Sequence, residues 1–528
     1  MTYLFTDNQE IKNDEGNPIP VSRNTTVNSL SNPLYVSGEI ETKPGGASGT
    51  SAFGEPVSVQ INPVFQLDAI YGLNPAIFET YTAFDGGVDL DGPLMTCNTG
   101  TSQYGYGVIR STRVVRYRPG QGALARFTAA FTEGTAGYTQ RAGFFNQEQA
   151  LQIGFNGTEF GVLRENGGKA AIYKLTITSP ATGNETVTIT LNGVSTNVAV
   201  TAGTISHNSQ EIGASSFSGW IIEYADSSVN FLSTSVGPKA GTFSVSSTGT
   251  FAANMVELQA GVNHTSNWTP QSSFNVDTLD GNGPSGMVLD PTKLNVYQIN
   301  FRWLGVGEIR YAVEDSNNGD MIFFHHEHYT NRYLVPHLDN PSLKIGYVAA
   351  SLGGTGTNVV VNGASMMGAI EGNINSTTFP DSASSTRSSG MNSAGTYYHM
   401  LTVHNRLLLN NKINTREIIL DSISVGGLSA ASPPIKVLFY RNVTTSVPFE
   451  WNYNNESWST AFYSTTASTI NPALHRPIYQ FLVSPGSAST INLTNSRIVL
   501  PPNTNISVAI VGSGVISQAD VTLNWLED

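Results

Sequence analysis

Two stretches far apart in the chain, residues 116–163 and 286–312, share one texture, and together they constrain the fold more than any other part of the sequence. The first, RYRPGQGALARFTAAFTEGTAGYTQRAGFFNQEQALQIGFNGTEFGVL, joins two strand-like runs, 124–131 and 150–163, through turns rich in Gly and Thr. Its phenylalanines recur at strand spacing, which places alternate side chains on one face of a sheet. The second, GMVLDPTKLNVYQINFRWLGVGEIRYA, has the same character. The two read as halves of one antiparallel sheet structure whose middle has been opened by an insertion. That organisation belongs to a structural or binding module more often than to a catalyst.

The surface chemistry narrows this further. Only 12% of the 528 residues are Asp, Glu, Lys or Arg, against roughly 25% in an average soluble protein. Hydrophobic residues stand at an ordinary 39%, so Ser, Thr, Asn and Gly replace the missing charge. Low charge with 10% aromatics favours compaction over disorder. Thr, Val, Ile and Tyr between Gly, Asn and Ser clusters give the pattern of an all-β chain.

The net charge of −13 excludes nucleic acid as the main partner, since no Lys/Arg cluster is placed to neutralise a run of phosphates. The densest basic group, Arg110, Arg113, Arg116 and Arg118, alternates with Val114, Val115 and Tyr117. It reads as a strand with a solvated or interface-facing side rather than an anion site. Cys97 is the single cysteine, so an intramolecular disulfide framework and a multi-Cys zinc site are both excluded. The opening MTYLFTDNQEIKNDEG has neither the basic nor the apolar region of a secretory signal. No apolar run approaches the roughly 20 residues of a membrane helix. The expectation is a chain made in a cytoplasm, without membrane insertion.

Residues 1–55 sustain neither period and cannot build a core of their own. They are expected to form an extended N-terminal arm that orders on another surface, with a disordered tail as the alternative. Residues 56–165 and 263–372 are assigned to one split β-sandwich, with a hairpin signal at Asn156-Gly157. Residues 166–262 read as a small inserted α+β module of order β-β-β-α-β-β. Its helix opens in TISHNSQEIGAS with Thr204 or Ser206 as cap, and it has an Asn192-Gly193 hairpin turn. The Ser-rich stretch 373–397 is expected to be a flexible linker. Residues 398–528 form a C-terminal β-sandwich. The predicted fold is therefore all-β, a multi-domain β-sandwich or jelly roll carrying one small insertion and an arm.

Motifs for chemistry are scarce. His326 and His328 would share one strand face, as two metal ligands must, but no third ligand is identifiable from the sequence. Buried or interface histidines are therefore the expectation, and no metal or cofactor is assigned. Asp277, Asp280, Asn282 and Asp290 surround DTLDGNGPSGMVLD, yet their spacing fails the calcium-loop pattern and fits turn chemistry. No nucleophile elbow, phosphate loop or E-x-D-x-E strand occurs, and no catalytic residue is assigned. The aromatics Trp451, Tyr453, Trp458 and Tyr463 in FEWNYNNESWSTAFY are the candidate glycan or partner contact; a loop pinned by its own aromatics would look the same.

The phrases GVIRSTRVVRYRPGQGALARFTAAF, QIGFNGTEFGVL, WTPQSSFNVDTLDGNGPSGMVLDPTKLNVYQINFRWLGVGEIRYAVED and NRYLVPHLDNPSL resemble a virion structural family of tailed phages and large DNA viruses, notably of aquatic hosts. The resemblance covers roughly residues 30–370. TITSPATGNETVTITLNGVSTNVAVTAG is similar to small modules of phage tail and sheath proteins, and RIVLPPNTNISVAIVGSGVISQADVTLNWLED to sandwich domains that close fibre or capsid proteins. The host pattern is also similar to lectin- and laminarinase-like sandwiches. The resemblance implies a non-enzymatic virion component in the tail, fibre or capsid. Its implied partners are other virion proteins and further copies of itself. The alternative is a host-receptor protein on the virion that binds a surface glycan.

Overall fold

The computed structural model describes residues 60–372, 378–428, 432–443, 445–455 and 457–528. The arm expected over residues 1–55 lies outside the described residues. The architecture is all-β and multi-domain, and the one α-helix among the described residues, Ile205–Gly213, belongs to the inserted module. No helix among the described residues is long and apolar enough to cross a membrane.

The split sandwich has two layers. In the first, nine strands follow the path Met321–Glu327, Ile309–Glu314, Asn295–Arg302, Gly122–Phe131, Val360–Gly363, Leu94–Asn98 and Gly87–Asp91. Gly122–Phe131 also carries Ser365–Glu371, with Ile61–Asp68 beyond it. In the second, seven strands run in the order Thr265–Pro270, Glu159–Asn166, Ala150–Asn156, Tyr138–Phe145, Lys344–Ser351, Tyr106–Ser111 and Phe78–Ala83. The two similar stretches of sequence do meet: Gly122–Phe131 pairs antiparallel with Asn295–Arg302, Ala125 opposite Ile299. The two runs inside the first stretch, however, are divided between the layers. The chain crosses from one layer to the other between Phe131 and Tyr138, so 150–163 becomes a hairpin of the seven-stranded sheet.

Strand alternation explains the core. Phe131, Phe155 and Phe160 meet edge to face, with ring centroids 6.2 Å apart for Phe131–Phe155 and 5.3 Å for Phe155–Phe160. Phe144 meets Phe301 across the layers at 5.3 Å, and both are fully buried. Edge-to-face geometry sets the positive rim of one ring against the negative face of the other, adding to the burial of large apolar area. Gly363 is required by this packing, because a Cβ there would stand 2.2 Å from the Tyr347 ring. The turn after Asn156 places Gly157 at φ 62°, the left-handed region that a two-residue hairpin needs.

The inserted module leaves and rejoins the host at one place. Glu159–Asn166 pairs with Thr265–Pro270, Asn166 opposite Thr265, while just outside them Lys169 bridges Val262. Between these points Trp220–Ala225, Ser228–Val236, Ala170–Ser179 and Ala252–Gln259 form a four-stranded sheet. Val194–Val200, Glu185–Leu191 and Ser244–Ser247 form a three-stranded one. Thr204 caps the helix by accepting the His207 N–H at 3.1 Å. Asn192 and Gly193 take φ of 52° and 82°, the backbone of a tight hairpin.

The C-terminal sandwich packs a five-stranded sheet on a six-stranded one. The first contains Phe379–Arg387, Ala519–Glu527 and Ile418–Gly426; the second contains Tyr398–Asn405, Thr504–Gly512 and Ile435–Arg441. Part of the stretch expected as a flexible linker is thus an edge strand: Phe379–Arg387 pairs along Ala519–Glu527, from Phe379–Glu527 to Arg387–Ala519. Its alternation is carried by Ala383 and Ser385, which turn inward and are buried. Small polar residues at inward positions hide a strand from any test based on hydrophobicity.

Polar contacts and shared apolar clusters lock these bodies together. Arg113 forks onto Glu417 at 2.9 Å, while Arg116 and Arg118 reach the two oxygens of the Asp528 side chain at 3.0 and 2.8 Å. The basic stretch expected as a strand is one only as far as Ser111; Arg113, Arg116 and Arg118 follow in an irregular segment, bridged to the sheet by Val115 opposite Leu343, and that segment is the seam between the split and C-terminal sandwiches. On the module's side, Ala170, Ile172 and Leu232 pack with Leu407 and Leu408, and Glu223 accepts the Leu407 N–H.

Candidate functional site

A broad cleft lies on the outer face of the seven-stranded sheet, beneath the inserted module. Directly opposed residues of an antiparallel pair share a face, and the register makes three rows across this sheet. Tyr81, Val108, Val348 and Arg141 form one; Arg110, Gly346, Gly143 and Gln152 the next; Lys344, Phe145, Ala150 and Glu165 the third. Gly346 and Gly143, opposite one another, put no side chain over the middle row. The result is a cleft of about 550 Å³. Its floor is Tyr81, Tyr106, Val108, Phe145, Ala150 and Val348, and Ser218, Gly219 and the stretch from Thr234 to Val236 form its module wall.

Polar groups ring that apolar floor. Arg141 stands 3.5 Å and His264 3.8 Å from the Glu165 carboxylate. Gln152 is 2% exposed, and its amide nitrogen finds no hydrogen-bond partner among the described residues; nor do Arg141 Nε and His264 Nε2. Leaving a buried donor unpaired costs about 1–3 kcal/mol. Three such atoms on one cleft mark a place where water or a ligand completes the bonds. Aromatic floor and planar polar rim together suit a flat ligand with one apolar face and hydroxyls at its edge.

Next to the cleft lies a buried ionic group. Glu79 accepts from Arg110 Nε at 2.9 Å and from Lys344 Nζ. Burial alone would raise the Glu79 carboxyl, but Lys344 and Arg110 hold it below the ordinary carboxylate range. Burial draws the Lys344 ammonium below its usual value despite Glu79. These charges satisfy one another and fix the strand ends beside the cleft.

The four aromatics singled out from the sequence do not form one platform. Trp451 is 6% exposed and packs with Phe449, Phe462 and His404. Its backbone N–H donates to Asp226 Oδ1 of the module at 2.7 Å, and its buried ring belongs to a core and not to a sugar-binding face. Tyr463 is half-buried against the C-terminal core, paired with Val403. Tyr453 and Trp458 are each 45% exposed, but Tyr453 leans on Phe462 and Trp458 on Phe379. An aromatic-rich loop pinned by its own side chains is what the structure contains here.

The acidic loop is likewise satisfied from within. Asp277 accepts from the N–H groups of Leu279 and Ser285, and Asp280 from Thr278 and Asn282. Asp290 accepts from Thr292. Cys97 is buried, and burial pushes its thiol well above the ordinary value, so it is no nucleophile. His326 and His328 do share a face, and the structure adds the carboxylate the sequence did not reveal: Glu308 Oε1 lies 3.2 Å and 3.5 Å from their Nδ1 atoms.

Sequence reasoning missed the cleft residues Tyr81, Tyr106, Phe145 and Gln152 altogether. They lie on four strands with no motif in common, and only the register gathers them.

No family model matches the chain, and no curated protein matches it. Among solved structures it is similar to a lectin from Bauhinia forficata in complex with GalNAc. That likeness has 9% identity and a TM-score of 0.20, covering 58% of this chain and 97% of the lectin. It is also similar to a protein of an archaeal virus with a triple jelly-roll fold and a turret assembly, at 10% identity and a TM-score of 0.16, covering 85% of this chain and 90% of that one. Likenesses this shallow leave the functional reading to the chain's own residues.

Proposed function

We propose that this chain is a structural component of a virus particle, serving in the tail, fibre or capsid as a rigid multi-sandwich block joined to other virion proteins and to copies of itself. The observation that carries this reading is the way its bodies are locked. The Arg113–Glu417 and Arg116/Arg118–Asp528 pairs and the apolar cluster of Leu407 and Leu408 bind split sandwich, module and C-terminal sandwich together. Such a seam keeps the bodies from moving independently, as a part that transmits force through an assembly requires. The virion resemblance of the sequence points the same way. Antibodies to the purified chain should label intact, gradient-purified particles in negative stain. Labelling confined to lysate proteins that do not co-sediment with particles would overturn the proposal.

A second reading, a receptor-binding role toward a host-surface glycan, is favoured by the cleft under the module. Its aromatic floor suits the apolar face of a sugar ring, and Gln152, Arg141 and His264 supply unpaired polar atoms at the edge. Glycan-array binding by the purified chain that disappears in Tyr106→Ala and Gln152→Ala supports this role. Binding that survives both substitutions removes the cleft from consideration.

A further inference from the structure

We infer that Glu308, His326 and His328 form a binding site for a divalent transition-metal ion such as Zn²⁺, with its fourth coordination position open to solvent. The site sits at the outer edge of the nine-stranded sheet, where Met321–Glu327 is the last strand. Arg310 lies opposite His326 and Ile309 opposite Glu327, so Glu308 falls opposite His328 by continuation of the register. Extended by one residue past each strand end, positions 308 and 310 on one segment and 326 and 328 on the other therefore share one face. Glu308 and His328 each stand one residue beyond the paired strands Ile309–Glu314 and Met321–Glu327, so the His-x-His spacing and the carboxylate converge just where the two strands run out.

The distances select the metal chemistry. Around a tetrahedral ion with bonds of about 2.0–2.2 Å to imidazole nitrogen and carboxylate oxygen, neighbouring ligand atoms stand roughly 3.3–3.5 Å apart. Glu308 Oε1 is 3.2 Å from His326 Nδ1 and 3.5 Å from His328 Nδ1, and the three ligand atoms all fall within 4.8 Å of one another. Two imidazoles and one carboxylate oxygen are too few and too nitrogen-rich for Ca²⁺ or Mg²⁺, and suit Zn²⁺, Co²⁺ or Ni²⁺.

The rest of the carboxylate is already in use. Glu308 Oε2 accepts from Arg310 Nε at 2.6 Å and from Arg302 Nη2 at 3.0 Å. These guanidiniums fix the carboxylate so that only Oε1 faces the imidazoles, as hydrogen bonds to a ligating carboxylate do in metal sites. Their positive charge also weakens the hold on a dication, which fits a loading site of moderate affinity. His328 is half-exposed, so water, or a ligand arriving from solution, reaches the fourth position.

The test uses Co²⁺ as a spectroscopic probe on the full chain after chelator treatment and dialysis. One equivalent should give the intense visible absorption of a tetrahedral ion, displaced by Zn²⁺. His328→Gln, at a half-exposed position that the fold tolerates, should abolish the band, and Glu308→Gln should weaken binding by about ten-fold or more. Absence of the band in the folded wild-type chain, or its persistence unchanged in either variant, would overturn the inference.

Discussion

Arg113 of the split sandwich holds Glu417 of the C-terminal sandwich in a forked contact, Nε at 3.1 Å from one oxygen and Nη2 at 2.9 Å from the other. The same guanidinium donates through Nη1 to the Val64 carbonyl at 2.8 Å. One side chain thus joins an edge strand of the nine-stranded sheet to the second sandwich. A planar fork suits this use better than an ammonium, because all its donors are fixed in one plane.

That seam is open to measurement. Arg113→Ala is expected to cost about 1–2 kcal/mol, because the arginine is partly exposed and the glutamate is mostly buried. A double-mutant cycle with Glu417→Gln in chemical denaturation should return a coupling energy that shrinks at high salt. A coupling of zero would show that the contact does not hold the sandwiches together.

The tryptophans of the aromatic loop should behave in opposite ways. Trp451→Ala opens a core between module and C-terminal sandwich and is expected to cost about 3–5 kcal/mol, whereas Trp458→Ala stays near neutral. Thermal melting of the two variants side by side decides the assignment.

In the cleft, stability and binding should trade against each other. Gln152→Leu replaces a buried amide whose nitrogen lacks a partner with an apolar side chain of similar size. The expected gain is about 1 kcal/mol of folding stability, together with loss of any glycan binding. A variant that is destabilised by a similar amount would mean the amide is already satisfied.

Acid should destabilise the fold below neutrality. Burial lowers His337 and His399 from 6.5 to about 4. His399 is held between the Thr466 carbonyl and the Thr402 hydroxyl, each at 2.7 Å. Because the folded value lies below the unfolded one, the unfolded chain binds more protons between about pH 6.5 and 4. Stability is therefore full above pH 6.5 and falls through that window, by ~1.4 kcal/mol per pH unit for each histidine. His337→Phe should flatten the slope of unfolding free energy against pH; an unchanged slope would place the linkage elsewhere.

Core substitution sets the scale. Phe144→Ala removes a fully buried ring that packs edge-on against Phe301 and should cost about 3–5 kcal/mol. Urea denaturation followed by intrinsic fluorescence measures it.

What the sequence made legible were features written in local pattern. The alternation in 122–131 and 295–302, the cap at Thr204 and the turns at Gly157 and Asn192-Gly193 are short-range signals, and each has its place in the structure. The strand Phe379–Arg387 escaped because Ala383 and Ser385 carry its inward face without bulk. Glu308 escaped for a different reason. Nothing near it in sequence marks it as a ligand, and only the register between two strands sets it against His326 and His328. Trp451 was open to two readings, contact platform or packed aromatic, because a sequence shows aromatic content but not which body covers it; the cover is Asp226 and Ala225 of an insertion more than 200 residues earlier.

The paired exit and return of the inserted module, Asn166 against Thr265 with Lys169 bridging Val262 just beyond, makes that hairpin a socket. A replacement module with its two ends side by side can be plugged in without disturbing the register of the host sheet. Since the module also roofs the cleft, exchanging it would re-shape what the cleft admits while the body beneath stays the same. Such an exchange is constrained on the other side, where Leu232 and Asp226 of the module meet Leu407 and Trp451, so any replacement must present matching partners there as well as matching ends.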